Sequence, residues 1–327
     1  MGSPGRRSRP TRAATSASPR SGSSPGSASS ASSPRSRRSP GRPPTRPPRT
    51  TGTTPPGWPR RYSPTTSPPV WVPSPEVEGI RDLAGAYDGA TARLATAKQR
   101  LLAFLARRGF VYGGTTPAGN PRKYWTYDFL RWLDKVRPED DGGVRALAAL
   151  RNEVEAAAEA RADLLSEYRA AVDASPIAAE VAALQSIKGC AFALAAAFSA
   201  EVGDFTRFRS GRQVTAYFGL APSQRSSGDS VRLGGISGAG NALVRKLAVE
   251  GSWCYAAARH QPKLMPRDTG VPLEIRMHGR KGSERLLRRR EEMLARGVPA
   301  AKANAATAAE LVRWLWALGM MCREGAE

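Results

Sequence analysis

Two adjacent serines, Ser226 and Ser227, stand in the stretch YFGLAPSQRSSGDSVRLGGISGAGN, which runs from Tyr217 to Asn241. A serine hydroxyl attacks only when something takes its proton and something else stabilises the charge that develops on the group attacked. The neighbourhood meets the second condition. Ser237, Gly238, Gly240 and Asn241 open an amphipathic helix predicted from about Gly240 to Arg259, and the unpaired amides and positive dipole end of a helix start attract an anion. Arg225, Arg232, Arg245 and Lys246 add fixed positive charge close in sequence. The first condition is not met locally, because the only histidines are His260 and His278 and Asp229 is a weak base at the ordinary carboxylate pKa. The chemistry indicated is a hydroxyl held beside a phosphate. Ser, Gly and Asp are also the residues that turns prefer, so a plain surface turn is the competing reading.

A second candidate lies upstream in LQSIKGCAFALAAAFSAEVGDFTRF. Two short apolar helices flank Lys188-Gly189 and resemble a helix-hairpin-helix, whose hairpin amides face a phosphate. Ala191 stands where such a motif has its second glycine, and a helical turn around Gly189 is the alternative.

The elements that must position these residues read as helices. Ser74-Pro75-Glu76 is a helix start with a hydroxyl cap, proline at the first position and an early acid. Apolar residues then recur from Ile80 to Leu105, and the stripe ends at Gly109. YGGTTPAGNPRKYW reads as a loop and YWTYDFLRWLDKV as a short aromatic helix, with Trp125 and Trp132 assigned to packing. A second long helix is predicted from about Val144 to Val172, its stripe interrupted by Arg161. The two long helices predict an antiparallel pair, within one chain or exchanged between two. Ser175-Pro176 and Ser210 are expected to start further helices. RMHGRKGSERLLRRREEM reads equally as a track for a nucleic-acid backbone or as a solvated helix face with Arg–Glu pairs. LVRWLWALGMM reads as core. The fold class expected is mainly α.

Composition sets the limits. From Met1 to Val70 there is no Leu, Ile, Phe, Asp, Glu or Lys, and 13 arginines and 16 of the 27 prolines fall there. Such a segment buries too little apolar surface to offset the entropy of ordering, so a disordered tail is expected over residues 1–70. It carries +13 of the formal net charge of +22, and residues 71–327 keep +9. A surplus that survives without the tail points to a polyanion, with nucleic acid ahead of an anionic membrane. No apolar run reaches the roughly 18 residues that span a bilayer. The expectation is a soluble, cytoplasmic, nucleoid-associated protein whose three cysteines, Cys190, Cys254 and Cys322, are buried free thiols. With two histidines, neither a zinc site nor a histidine-based triad is expected.

Six blocks, IKG at 187–189, AEVGDFTRF at 200–208, AYFGLAPSQRSSG at 216–228, GGISGAGNALVRKL at 234–247, FLARRGFVYGG and YWTYDFLRWL, stand in one order. On these the chain resembles a family of insertion-sequence transposases. Members join an N-terminal RuvC-like domain with four acidic residues to a C-terminal serine-bearing transposase domain, and some are RNA-guided bridge recombinases. The resemblance covers roughly Val70 to Glu327, although Gly238 stands where the family usually has lysine. It implies a helical linker over 71–182 and a transposase domain over 183–327. It also implies DNA as partner, a guide RNA in some members, homo-oligomers through the long helices, and a serine that joins covalently to the DNA strand. By position that serine is Ser226 or Ser227, with Ser226 slightly preferred. Lys188, Gly189, Arg225, Arg232, Asn241, Arg245 and Lys246 are the expected nucleic-acid contacts.

The family's Mg²⁺-binding carboxylates have no counterpart before Glu76, where no acid occurs. No cofactor is therefore expected on this chain, and catalysis is expected to be impaired. A block such as K-N-D-R-N-D-A-A-R-L-A, written in GC-rich codons and read one nucleotide late, gives the RTTGTTPPGWP found at Arg49 to Pro59. Residues 1 to about 67 thus read as an out-of-frame RuvC-like segment. The alternative function is a non-catalytic DNA- or RNA-binding module, or a regulator that forms mixed oligomers with intact transposase.

Overall fold

The computed structural model describes residues 71–224, 233–256, 263–266 and 269–324. The expectations for residues 1–70, and for Arg225, Ser226, Ser227, Arg232 and His260, lie outside the described residues. Residues 69–327 fall in one compact unit, and its described part is mainly helical, as the periodicity predicts.

Helix α1 (Pro75–Arg107) starts where the sequence places it: Ser74 Oγ accepts from Val77 N and Pro75 fixes the first turn. After Arg107 the chain turns through Gly109 at φ +78°. Helix α3 (Asp141–Asp173) is as long as α1, 33 residues or about 50 Å each. The two run antiparallel, since Arg100 pairs with Glu153 while Arg161 reaches back to Thr91 and Tyr87. Arg161 breaks the apolar stripe for a reason the pairing makes visible. Its Nε donates to Thr91 Oγ1 at 3.1 Å and its guanidinium lies over the Tyr87 ring. The short helix α2 (Tyr127–Leu133) closes the far end of the pair. There Phe129 is fully buried among Tyr112, Tyr124, Trp125 and Trp132, so the two tryptophans pack as expected.

The main core lies at the other end of the pair. Helix α5 (Phe192–Val202) is apolar on all sides and almost wholly buried, which is the pattern of a central helix. Helices α1, α4 (Ala178–Leu184) and α7 (Ala242–Ser252) pack against it, and α9 (Ala300–Glu324) packs in turn against α4, α6 (Gly211–Tyr217), α7 and α8 (Leu273–Ala295). Helix α9 supplies Leu311, Leu315 and Leu318, each with no exposed surface, so LVRWLWALGMM is core. Trp71 also packs here, where it covers Gly203 so closely that a Cβ on Gly203 would meet its ring at 2.0 Å.

Several boundaries differ from the sequence reading. Ser175 does not start α4; its hydroxyl donates to Val172 O and closes α3, and α4 begins at Ala178 after Ile177. Ser210 stands at the N-cap of α6 but its side chain makes no cap bond. Instead the Gln213 side chain reaches back to accept from Arg209 N at 2.7 Å. Helix α7 ends at Ser252 in a 3-10 turn, Trp253–Ala256, well before Arg259. Finally, strands β1 (Pro222–Gln224) and β2 (Leu233–Ile236) pair antiparallel in a stretch for which the sequence predicts no strand.

Candidate functional site

The β1–β2 pairing means that residues 225–232, with both candidate serines, join two hydrogen-bonded strands. The base of this hairpin is fastened in three ways. Backbone bonds continue below the strands, from Ser237 N to Ala221 O at 2.9 Å and from Gly238 N to Gly219 O at 3.0 Å. The two chain segments then cross in direct backbone contact. A Cβ on Gly219 would stand 2.0 Å from Ala239 O, and one on Gly240 would stand 1.8 Å from Tyr217 O. Both glycines also have positive φ, +69° and +75°, so no other residue fits either place without strain. Third, Arg245 Nη1 donates to Phe218 O at 3.1 Å and to Ala239 O at 2.9 Å, tying one limb to the other.

Helix α7 begins immediately after this crossing. Asn241 is its N-cap, and the Asn241 Oδ1 accepts from Val244 N at 3.0 Å. The cap leaves the earliest α7 amides on the side from which the hairpin arises. Arg245 and Lys246, adjacent in sequence, point to different structures. Arg245 holds the hairpin base, whereas Lys246 Nζ pairs with Asp88 Oδ1 of α1 at 2.6 Å. That hydrogen bond raises the Lys246 pKa against the opposing effect of burial. The serine-bearing hairpin and the long helical pair are thereby joined through two consecutive residues of one helix.

Lys188 and Gly189 are not brought to this base. Gly189, at φ +91°, packs against α7 near its other end, where a Cβ on Gly251 would stand 2.1 Å from Gly189 O. The length of α7 in between is about 16 Å. Lys188 N donates to Ser283 Oγ at 2.9 Å, and Lys188 O accepts from the Tyr255 hydroxyl. The turn between α4 and α5 thus faces inward toward α7 and α8. Cys190, next to it, is buried, and burial pushes its thiol pKa up. Cys254 and Cys322 are free and half-buried.

Mg²⁺ needs several oxygen ligands converging on one point. Among the described residues no group of three or more His, Cys, Asp or Glu could hold a metal ion. Nor is any helix among them long and apolar enough to cross a membrane.

Two residues of this site, Gly219 and Asp88, were not singled out by the sequence. Gly219 matters through a backbone contact with Ala239, 20 positions away, and Asp88 through a partner on another helix. Gly240 carried a local signal, as part of a helix start.

Comparison with known proteins bears on this part of the chain. Residues 181–267 match the transposase IS116/IS110/IS902 family. A protein of Sinorhizobium fredii named as transposase y4qE is 32% identical over 259 residues, which covers 78% of this chain and 60% of that protein. The transposase for insertion sequence element IS1111A of Coxiella burnetii is 37% identical over 116 residues, 36% of this chain and 30% of its own length. The chain therefore spans less than two thirds of either relative. The segment that holds the hairpin, its glycine crossing and α7 matches an IS116/IS110/IS902 family transposase domain, in a chain similar to a named transposase along most of its length.

Proposed function

We propose that this chain serves DNA transposition, with a serine of the 225–232 segment as nucleophile toward a DNA phosphodiester. The observation that carries the reading is the fastened hairpin base. A flexible turn needs no glycine crossing and no arginine bridging its limbs, whereas a nucleophile must be held to within about half an ångström of its productive position, roughly 3–3.5 Å from the atom it attacks. The matched family segment runs across this hairpin, which supports the assignment.

In the proposed step the Oγ of Ser226 or Ser227 bonds to phosphorus and one deoxyribose oxygen leaves and takes up a proton. The DNA strand is then joined to the protein. Arg225 and Arg232, which flank the serines in sequence, and the first amides of α7 would carry the phosphoryl charge. On this reading the serine proton goes to a carboxylate of the RuvC-like domain of an intact family member, which would also hold the divalent metal. The reading of residues 1 to about 67 as an out-of-frame segment then predicts weak cleavage by the chain as it stands.

The test uses supercoiled plasmid and Mg²⁺, with the chain as it stands and with a version whose reading frame ahead of codon 68 is restored. Nicking by the restored protein, lost in the Ser226→Ala, Ser227→Ala double variant, is expected. Nicking that persists in the double variant removes the serine nucleophile, and DNA binding without nicking in either protein favours a non-catalytic binding module.

A further inference from the structure

Helix α8 carries a run of arginines that the hairpin does not use. Arg285, Arg288, Arg289 and Arg296, with Glu292 and Met293, line a concavity of about 280 Å³. Their spacing puts them on one stripe of the helix, about 16 Å from first to last. The stripe has an unusual support. Glu310 of α9 is only 5% exposed, and its carboxylate takes Arg285 Nε at 2.7 Å on Oε1 and Arg289 Nη1 at 2.9 Å on Oε2. The first contact is a hydrogen bond; the second is an ion pair without hydrogen-bond alignment. A buried carboxylate under two half-exposed guanidiniums fixes their direction and leaves most of their five N–H donors outward. Arg288 keeps a long 3.8 Å contact with Glu292 and is 70% exposed. Four arginines over two acids leave a local excess of positive charge.

We infer that this stripe is a second phosphate-backbone site, which takes the backbone of duplex DNA without regard to sequence. The inference rests on the transposition reading for its choice of DNA over RNA. The chemistry comes from the residues themselves: planar guanidinium forks pre-set by a carboxylate match phosphate oxygens, as flexible lysines on a solvated face do not. The site is distinct from the hairpin. Arg290, the next residue, is buried with its guanidinium 5.9 Å from the Trp253 ring, which anchors the stripe beside the C-terminal end of α7, whereas the hairpin precedes the N-terminal end.

The test is fluorescence anisotropy of the full chain with a random-sequence 30-base-pair duplex across a salt series. The Arg288→Ala, Arg296→Ala variant should reduce the magnitude of the log K against log salt slope by about 1.8, two phosphate contacts at about 0.9 each, and so weaken binding at 0.1 M salt about 60-fold more than at 1 M. The Arg100→Ala, Arg151→Ala variant removes the same charge from the long helical pair, where each arginine already has a carboxylate partner, and should leave the slope unchanged. An equal change in both variants would mean that only net charge matters, and would overturn the site, as would no change in either. Loss of binding to a stem-loop RNA with duplex binding intact would overturn the choice of DNA. Serine-dependent strand attachment is a separate readout, so failure of that reaction with the slope change intact removes the nucleophile and not this site.

Discussion

Replacing Arg245 by alanine removes the bridge between the two limbs of the serine-bearing hairpin and touches little else. The side chain gives two hydrogen bonds to backbone carbonyls, Phe218 O and Ala239 O, at 3.1 and 2.9 Å. A hydrogen bond from a charged donor contributes about 1.5–3 kcal/mol when shielded. Arg245 is only half-buried, so water recovers part of each bond, and about 1 kcal/mol apiece is the appropriate figure. The total of about 2 kcal/mol should appear as easier local opening of the base, by about 30-fold. Hydrogen exchange reads this directly, because Ser237 N and Gly238 N are the amides that close the base. Their exchange should speed up by that factor while amides of α9 stay unchanged. Arg245→Lys keeps the charge and the donors but ends one bond short of Nη1, so its exchange should fall between wild type and alanine. Unchanged exchange at residues 237 and 238, or an equal rise through α9, would refute the clamp.

Gly251→Ala would set a Cβ 2.1 Å from the carbonyl oxygen of Gly189, and since both partners are backbone, overpacking of about 3 kcal/mol should lower the thermal midpoint. Leu315→Ala, at a position with no exposed surface in the centre of α9, should cost about 3 kcal/mol in denaturant unfolding. His278 sits 4.8 Å from the Trp314 ring, and burial first, then the charge of Lys281, lowers its pKa below the ordinary 6.5. The unfolded chain then binds the proton more readily than the folded one, so this group removes stability as pH falls from about 6.5 through the lowered value. Unfolding curves for His278→Gln should lack that portion of the pH dependence.

The parts of the fold that could be read in advance are those written in side-chain periodicity. The stripes of α1, α3 and α9 are long, and burial follows them, so Leu311, Leu315 and Leu318 fall in the core as their spacing says. What escaped is written in backbone contacts between distant positions. Strands of three and four residues, Pro-Ser-Gln and Leu-Gly-Gly-Ile, hold too little alternation to be seen. Their pairing is set by Gly219 against Ala239 and Gly240 against Tyr217, which no local pattern announces. The Lys188-Gly189 turn looked open to a phosphate because its own helices are short and apolar. Its orientation is decided by Gly251 and Ser283, 62 and 95 positions from the residues they meet. Arg245 was legible as a functional cation, but its contacts with two carbonyls depend on a crossing only the folded chain has.

The most direct test of the account is to find where DNA becomes attached. The frame-restored protein is incubated with duplex DNA, the covalent complex is trimmed with nuclease and cut with trypsin, and the peptides are sequenced by mass spectrometry. Cleavage after Arg225 and Arg232 isolates SSGDSVR, residues 226–232. A nucleotide on Ser226 or Ser227 of that peptide is the predicted result. A nucleotide on any other residue, or no covalent complex at all, would contradict the account.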